Sequence, residues 1–226
     1  IIWHIMKIYD HYGFNDFIIC LGYKGYMIKE YFVNYFYHNS DLTINLVDNE
    51  IEVHRSNNES FKVTLVDTGL ETKTAGRLKK IKDYIKGELF MLTYGDGVAD
   101  ININELLEFH NSHDKIATVT SVQPAGKFGA LSLKNNNQVT EFIEKPHGDG
   151  YWINAGFFVF NKKIFNYLEG NMNNVMLEDS PLENLAKDGE LFSYKHYNFW
   201  KCMDALRDKK ELEKLWINGN AKWKVW

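Results

Sequence analysis

Cysteine and proline are scarce in this sequence, with two cysteines and three prolines in 226 residues. Two cysteines make no disulfide scaffold, and Cys20, in an apolar run, and Cys202 share no metal-ligand spacing. With so few prolines and no break in composition, nothing marks a linker between independent domains. No apolar run approaches the roughly 20 residues needed to cross a bilayer, and no signal peptide is read. Neither a membrane nor an oxidising compartment is therefore expected, and the cytoplasm is the default location. Excess positive charge is missing too: 26 Lys and Arg against 30 Asp and Glu leave a net charge of -4, with no footprint for nucleic acid. No Gly-x-Ser-x-Gly elbow offers a nucleophilic serine. The histidines show no ligand spacing either; His110 and His113 read as neighbours on a surface helix and receive no chemistry.

What is present is an ordinary globular composition, 45% hydrophobic and 25% charged, enough for one large α/β domain. Ile1, Ile2, Ile5, Ile8, Tyr9 and Tyr12 follow helical spacing from the first position, with no methionine or capping residue before them. The reading expects at least one preceding element to be missing. Phe17 to Leu21 reads as a buried strand and Tyr26 to Phe36 as a helix. Short alternating runs, divided by Asp48-Asn49 and Asn57-Asn58, then predict an antiparallel insertion over 41–66. Alternation resumes with a helix near 77–85, a strand over 90–93, a helix over 104–113 and a strand over 117–122. Further strands are expected at 129–133, 139–143, 155–160 and 191–194, and helices near 162–168 and 182–188. A helical tail is read over 204–226. Together these give a three-layer α/β fold on a mainly parallel, mixed sheet, organised as one domain.

In such sheets ligands bind beyond the carboxyl ends of the strands. Asp96, in Tyr94-Gly95-Asp96-Gly97 after a strand, is either a turn residue or a metal-phosphate ligand, with glycine on both sides to let phosphate approach. Asp204 is either the N-cap of the helix after it or a second carboxylate for the same cation. Magnesium takes one or two protein carboxylates and completes its shell with water and phosphate oxygens, so the pair suits Mg2+. Glu144-Lys145-Pro146 reads as a solvated pair leaving a strand, or as a sugar-hydroxyl acceptor beside a phosphate-binding lysine. Thr72 to Arg77 either caps a helix at Thr74 or offers amides and a guanidinium to a nucleotide. Asn154-Ala155-Gly156 is either an ordinary strand start or a polar contact with room for a ring.

Together these segments resemble the sugar-phosphate nucleotidylyltransferases, and within them the branch that joins CTP to glucose 1-phosphate. The resemblance covers nearly the whole chain. It rests on Ile2-Trp3-His4-Ile5-Met6, Gly22-Tyr23-Lys24-Gly25, Val63 through Gly69, Gly76-Arg77-Leu78, Thr93 through Asp100, Phe128-Gly129-Ala130-Leu131, Glu144-Lys145-Pro146, Ile153 through Phe158, and Trp200 through Asp208. It implies transfer of a cytidylyl group, giving CDP-glucose and pyrophosphate, with CDP-glucose feeding dideoxysugar synthesis for surface polysaccharide. It further implies that Asp96 and Asp204 hold Mg2+ and Lys145 binds the sugar phosphate. Glu144, Gly129, Asn154 and Ala155 would line the sugar pocket, while Thr72, Gly76, Arg77 and Gly95 contact nucleotide or substrate. A homo-oligomer is expected. The family's Gly-Gly-x-Gly-Thr-Arg loop is not in this sequence, so negligible turnover is expected of this chain by itself. Two rivals stand beside this reading: a metal-dependent glycosyltransferase, which would normally show Asp-x-Asp, and a non-catalytic sugar-nucleotide-binding or assembly protein.

Overall fold

A computed structural model describes residues 1–56, 59–124, 130–143 and 151–226. In chain order the first elements are α1 (Ile2–His11), β1 (Asp16–Leu21), α2 (Gly25–Val33), α3 (Tyr35–His38), β2 (Ser40–Asn45), β3 (Glu50–Ser56), β4 (Lys62–Asp67) and α4 (Thr74–Lys80). They are followed by β5 (Leu89–Thr93), β6 (Gly97–Ala99), α5 (Ile103–His113), β7 (Ala117–Val122), β8 (Ala130–Leu133), β9 (Val139–Ile143) and β10 (Ile153–Asn161). The last are α6 (Ser180–Lys187), β11 (Leu191–His196), β12 (Trp200–Cys202) and α7 (Leu206–Ile217). Where the sequence reads as one domain, the chain packs as two compact units, each assembled from separated stretches.

The first unit comprises residues 1–13, 87–164 and 182–226. Its sheet has the order β11-β7-β10-β5, with β11 parallel to β7 and β10 antiparallel to both β7 and β5. The α/β class and the mixed sheet are as expected, with more antiparallel pairing than strand-helix alternation suggests, because β10 inserts between β7 and β5. Phe157 to Phe160 are each no more than 1% exposed, so both faces of β10 are covered. On one face Phe158 stacks on Phe160 at 5.3 Å; on the other Phe157 stacks on Tyr9 of α1. Residues Ile5, Met6, Ile8 and Tyr9 give α1 its buried face, at the spacing an amphipathic helix requires.

Helix α5 starts where Asn102 Oδ1 accepts from the amides of Asn104 and Glu105, the capping geometry that satisfies orphan donors. It buries Ile103, Leu106 and His110. The surface-helix reading of the two histidines is corrected here: His110 is 3% exposed, and its Nδ1 meets Thr118 Oγ1 at 2.9 Å while His113 Nε2 meets the same oxygen at 2.8 Å. The expected helical tail is helical only over α7; the residues after it fold back, and Trp216, Trp223 and Trp226 gather around Trp3 and His4 of α1. Trp223 Nε1 donates to His4 Nδ1 at 3.4 Å.

The second unit comprises residues 14–86 and 165–181. The antiparallel insertion expected over 41–66 is shorter than that: β2 and β3 form an antiparallel hairpin, but β4 leaves it and pairs in parallel with β1, from Asp16↔Lys62 to Leu21↔Asp67. Alternation of apolar residues reports that a segment is extended and says nothing about its partner. The hairpin places Leu42 opposite Val53 and Ile44 opposite Ile51, making one apolar face. Ile44, Ile51 and Val53 on it are exposed, and α2 has no buried residue.

Candidate active site

In the first unit, the two aspartates are brought together by backbone hydrogen bonds. Asp96 follows β5, and its carbonyl accepts from the amide of Met203 at 2.8 Å. The antiparallel pair β6-β12 continues the contact, with Cys202 opposite Gly97, Lys201 opposite Val98 and Trp200 opposite Ala99. The loops carrying Asp96 and Asp204 are thus joined along four consecutive positions.

Both aspartates are exposed. The helix-cap alternative for Asp204 does not apply, because α7 begins at Leu206, two residues on. Ala205 is its N-cap residue, and the Ala205 amide donates to Asp208 Oδ2 at 3.0 Å. The Asp204 carboxylate instead accepts from the thiol of Cys202, with Sγ to Oδ2 at 3.2 Å. Burial pushes the Cys202 thiol up to about 11, helped by the hydrogen bond and charge of Asp204 and by the charge of Asp96. The influence of both carboxylates on one thiol places them in the same neighbourhood. Burial likewise pushes Cys20 up to about 11, so neither cysteine is primed as a nucleophile.

Asn154 and Ala155 sit where β10 buckles. Against β7 the register runs Ile153↔Val122 and Asn154↔Ser121, then resumes at Phe158↔Val119. Four steps along β10 therefore span two along β7, and the surplus forms a bulge at 155–157. Gly156 has φ +79, and a Cβ there would lie 2.9 Å from the ring of Tyr94. Its amide donates to Asn154 Oδ1 at 2.8 Å, its carbonyl accepts from the Tyr94 amide at 2.9 Å, and Asn154 Nδ2 lies 3.5 Å from Tyr94 Oη. Gly95, on the loop from Tyr94 to Asp96, is exposed with open space where a Cβ would stand. The structure thus gathers Gly95, Asp96, Asn154, Ala155 and Asp204 in the first unit.

Thr72, Gly76 and Arg77 belong to the second unit and are occupied by its own packing. Arg77 Nη1 donates to Leu21 O at 2.8 Å and Thr68 Oγ1 at 2.6 Å, which fixes the guanidinium at the carboxyl ends of β1 and β4. A Cβ on Gly22 would come within 2.5 Å of Arg77 Nη2, so the close approach depends on glycine. Thr72 is 7% exposed and its Oγ1 accepts from Lys80 Nζ at 3.0 Å. Gly76 is buried. The expected cap at Thr74 is one residue off: Lys73 is the N-cap residue, and Thr74 Oγ1 accepts from the Leu177 amide at 2.7 Å. Gly129, Glu144 and Lys145 lie outside the described residues.

Among the described residues no group of three or more His, Cys, Asp or Glu is placed to hold a metal ion. Those residues therefore form no all-protein cage, and Mg2+ is an ion that needs only a carboxylate or two and prefers water and phosphate for the rest. Two exposed carboxylates on joined loops fit it. Sequence reasoning passed over Trp200 as a member of this site, because a lone tryptophan in a three-residue strand gives no periodic signal.

Residues 1–201 match the family model described as nucleotidyl transferase. The chain is 51% identical to glucose-1-phosphate cytidylyltransferase of Salmonella typhimurium, over 100% of this chain and 87% of that protein. It is 46% identical to the probable glucose-1-phosphate cytidylyltransferase of Bacillus subtilis, with the same coverage. Two solved structures share the fold. HddC from Yersinia pseudotuberculosis has a TM-score of 0.63 at 19% identity, over 94% of this chain and 84% of that one. A putative glucose-1-phosphate thymidylyltransferase from Bacillus anthracis has a TM-score of 0.66 at 15% identity, over 95% and 81%.

Proposed function

The chain belongs to the nucleotidyl transferase family, and from that premise we propose that it serves the transfer of a cytidylyl group from CTP to glucose 1-phosphate, giving CDP-glucose and pyrophosphate. The observation that carries the reading is the junction of the Asp96 and Asp204 loops through the Met203 amide, which sets two exposed carboxylates on joined loops, Asp96 in a turn and Asp204 ahead of a helix that Ala205 caps. Attack by one phosphate oxygen on another phosphorus needs alignment and charge neutralisation more than a protein nucleophile. Asp96 and Asp204 would hold Mg2+, which when bound neutralises phosphate oxygens. Lys145 is assigned to the sugar phosphate, and Glu144, Gly129, Asn154 and Ala155 to the sugar hydroxyls. Gly95, Thr72, Gly76 and Arg77 are assigned to nucleotide or substrate contacts, Arg77 through orientation of the β1-β4 strand ends.

The reading assigns the reaction to the cytoplasm and its product to O-antigen and lipopolysaccharide biosynthesis. It also has the chain working as a homo-oligomer, supported by the exposed Tyr26, Met27, Val33, Leu46 and Val47 of the second unit.

The test is calorimetry of CDP-glucose binding with and without Mg2+. Wild-type chain is expected to bind with a heat that depends on Mg2+, and Asp96→Asn and Asp204→Asn each to lose that dependence while keeping the far-ultraviolet dichroism of the fold. Binding indifferent to Mg2+, in wild type and variants alike, would rule the reading out in favour of a non-catalytic sugar-nucleotide binder.

A further inference from the structure

The bulge in β10 creates a polar debt that one side chain discharges. Where a strand carries surplus residues, the carbonyls and amides inside the bulge lose their ladder partners. Within this bulge the Gly156 amide turns to Asn154 Oδ1 and the Gly156 carbonyl to the Tyr94 amide. The Ala155 carbonyl faces the interior, on a residue only 3% exposed, and its partner is the indole of Trp200, with Nε1 to O at 2.8 Å. A buried carbonyl left without a donor is destabilising, so the indole N–H is what stabilises this conformation of the bulge.

Trp200 occupies a junction. It opens β12, which runs through Cys202 toward Asp204, and it pairs with Ala99 on β6, which follows Asp96 directly. A Cβ on Gly97 would lie 3.6 Å from Trp200 Nε1 and 3.8 Å from the Ala155 carbonyl oxygen, so the indole, the bulge and the residue after Asp96 meet at one point. Tyr94 closes the other side of the bulge, with its ring against Gly156 and its hydroxyl toward Asn154. Three segments that carry candidate ligands, Asp96, Asp204 and Asn154-Ala155, are therefore referenced to one side chain.

We infer that Trp200 is a positioning residue for sugar recognition: its indole N–H holds the Ala155 carbonyl and so sets the bulge from which Asn154 and Ala155 meet the hexose, in register with the two aspartates. The inference rests on the proposed function, since it takes the bulge to be the sugar side of that site. A purely structural tryptophan would, when altered, lower every binding event or the stability of the unit. A positioning tryptophan acts on the part of the ligand that the bulge touches, so loss of its N–H penalises the hexose and spares the nucleotide.

The experiment compares CDP-glucose with CDP by calorimetry in Mg2+, on wild type, Trp200→Phe, and a chain with benzothienylalanine at position 200, which keeps the ring volume and deletes only the N–H. Tighter binding of CDP-glucose than of CDP by wild type measures the sugar contribution. The inference expects both altered chains to lose that margin, with a fall of about tenfold or more in CDP-glucose affinity, about the 1.4 kcal/mol a lost hydrogen bond carries, and CDP affinity held. Equal weakening of both ligands, or no change in either, overturns it. Should wild type bind neither nucleotide, the proposed function fails first and the inference with it. The hydrogen bond itself is read separately from the Trp200 indole proton: slow solvent exchange is expected, and exchange at the rate of an exposed indole sinks the inference whatever the ligands do.

Discussion

His110 shows how a residue unremarkable in sequence can dominate a local balance. It stands on α5 with His113 three residues on, and both rings address the single hydroxyl of Thr118. One hydroxyl proton serves one acceptor, so one ring receives it while the other donates its own N–H, and the arrangement suits two neutral imidazoles. Burial first, and the neighbouring His113 second, lower His110 to about 4 from the usual 6.5, and burial lowers His113 too. A depressed folded value means the unfolded chain binds the proton more readily. The stabilisation is complete above about pH 6.5 and drains as pH falls toward 4, at up to about 1.4 kcal/mol per pH unit for one proton. Urea denaturation at a series of pH values is expected to show this slope in wild type and a shallower one in His110→Asn, which keeps a polar partner for Thr118. Parallel slopes in the two proteins would count against the assignment.

Among elements, β10 has the most exacting geometry. Gly156 combines a left-handed φ with an aromatic ring in the place of a Cβ, so Gly156→Ala meets two penalties at once. A loss of about 1–3 kcal/mol is expected in urea denaturation, and a change below about 0.5 kcal/mol would mean that Tyr94 gives way freely. The run Phe157 to Phe160 made β10 legible as a strand, and α1, α5, β1, β5 and β7 were likewise readable from their apolar spacing. The bulge was not, because a register shift belongs to a pair of strands and leaves no mark in one. The same limit hid the parallel pairing of β4 with β1. Strands β6 and β12 escaped for another reason: three residues are too few to display a period, and what defines them is each other. The candidate site was legible as residue types at strand ends, which is how Asp96, Asp204 and Asn154 came to be named as candidates. That Asp204 is no cap follows only from the structure, where Ala205 is the N-cap residue and its amide donates to Asp208. The helix expected near 162–168 is present as a 3-10 helix, Lys162–Tyr167.

For the molecule as a whole, what stands out is how unevenly apolar surface is covered. In the first unit the central strand β10 is covered on both faces; in the second, α2 has no fully buried residue and the β2-β3 hairpin leaves Leu46 and Val47 about nine-tenths exposed, at 88% and 91%. Isolated apolar residues on a surface need no explanation, but Tyr26, Met27 and Val33 on one helix and Leu46 and Val47 at one hairpin tip are more apolar surface than a lone chain commonly exposes. Sedimentation velocity is expected to find wild type larger than a single chain, and Leu46→Lys with Val47→Lys to shift it toward the monomer. A wild-type chain that sediments as a monomer at every concentration tried would dismiss the oligomer.

The tryptophans follow the same division, in a way that matters at the bench. All six, at 3, 152, 200, 216, 223 and 226, belong to the first unit, four of them crowded around His4 and the turn that follows α7. Indole emission from this protein is therefore a private channel to one half of the chain, and a quiet one to the other. Colour added to the second unit, a single tryptophan in place of Tyr23 or Tyr37, would give each half its own voice in the same cuvette.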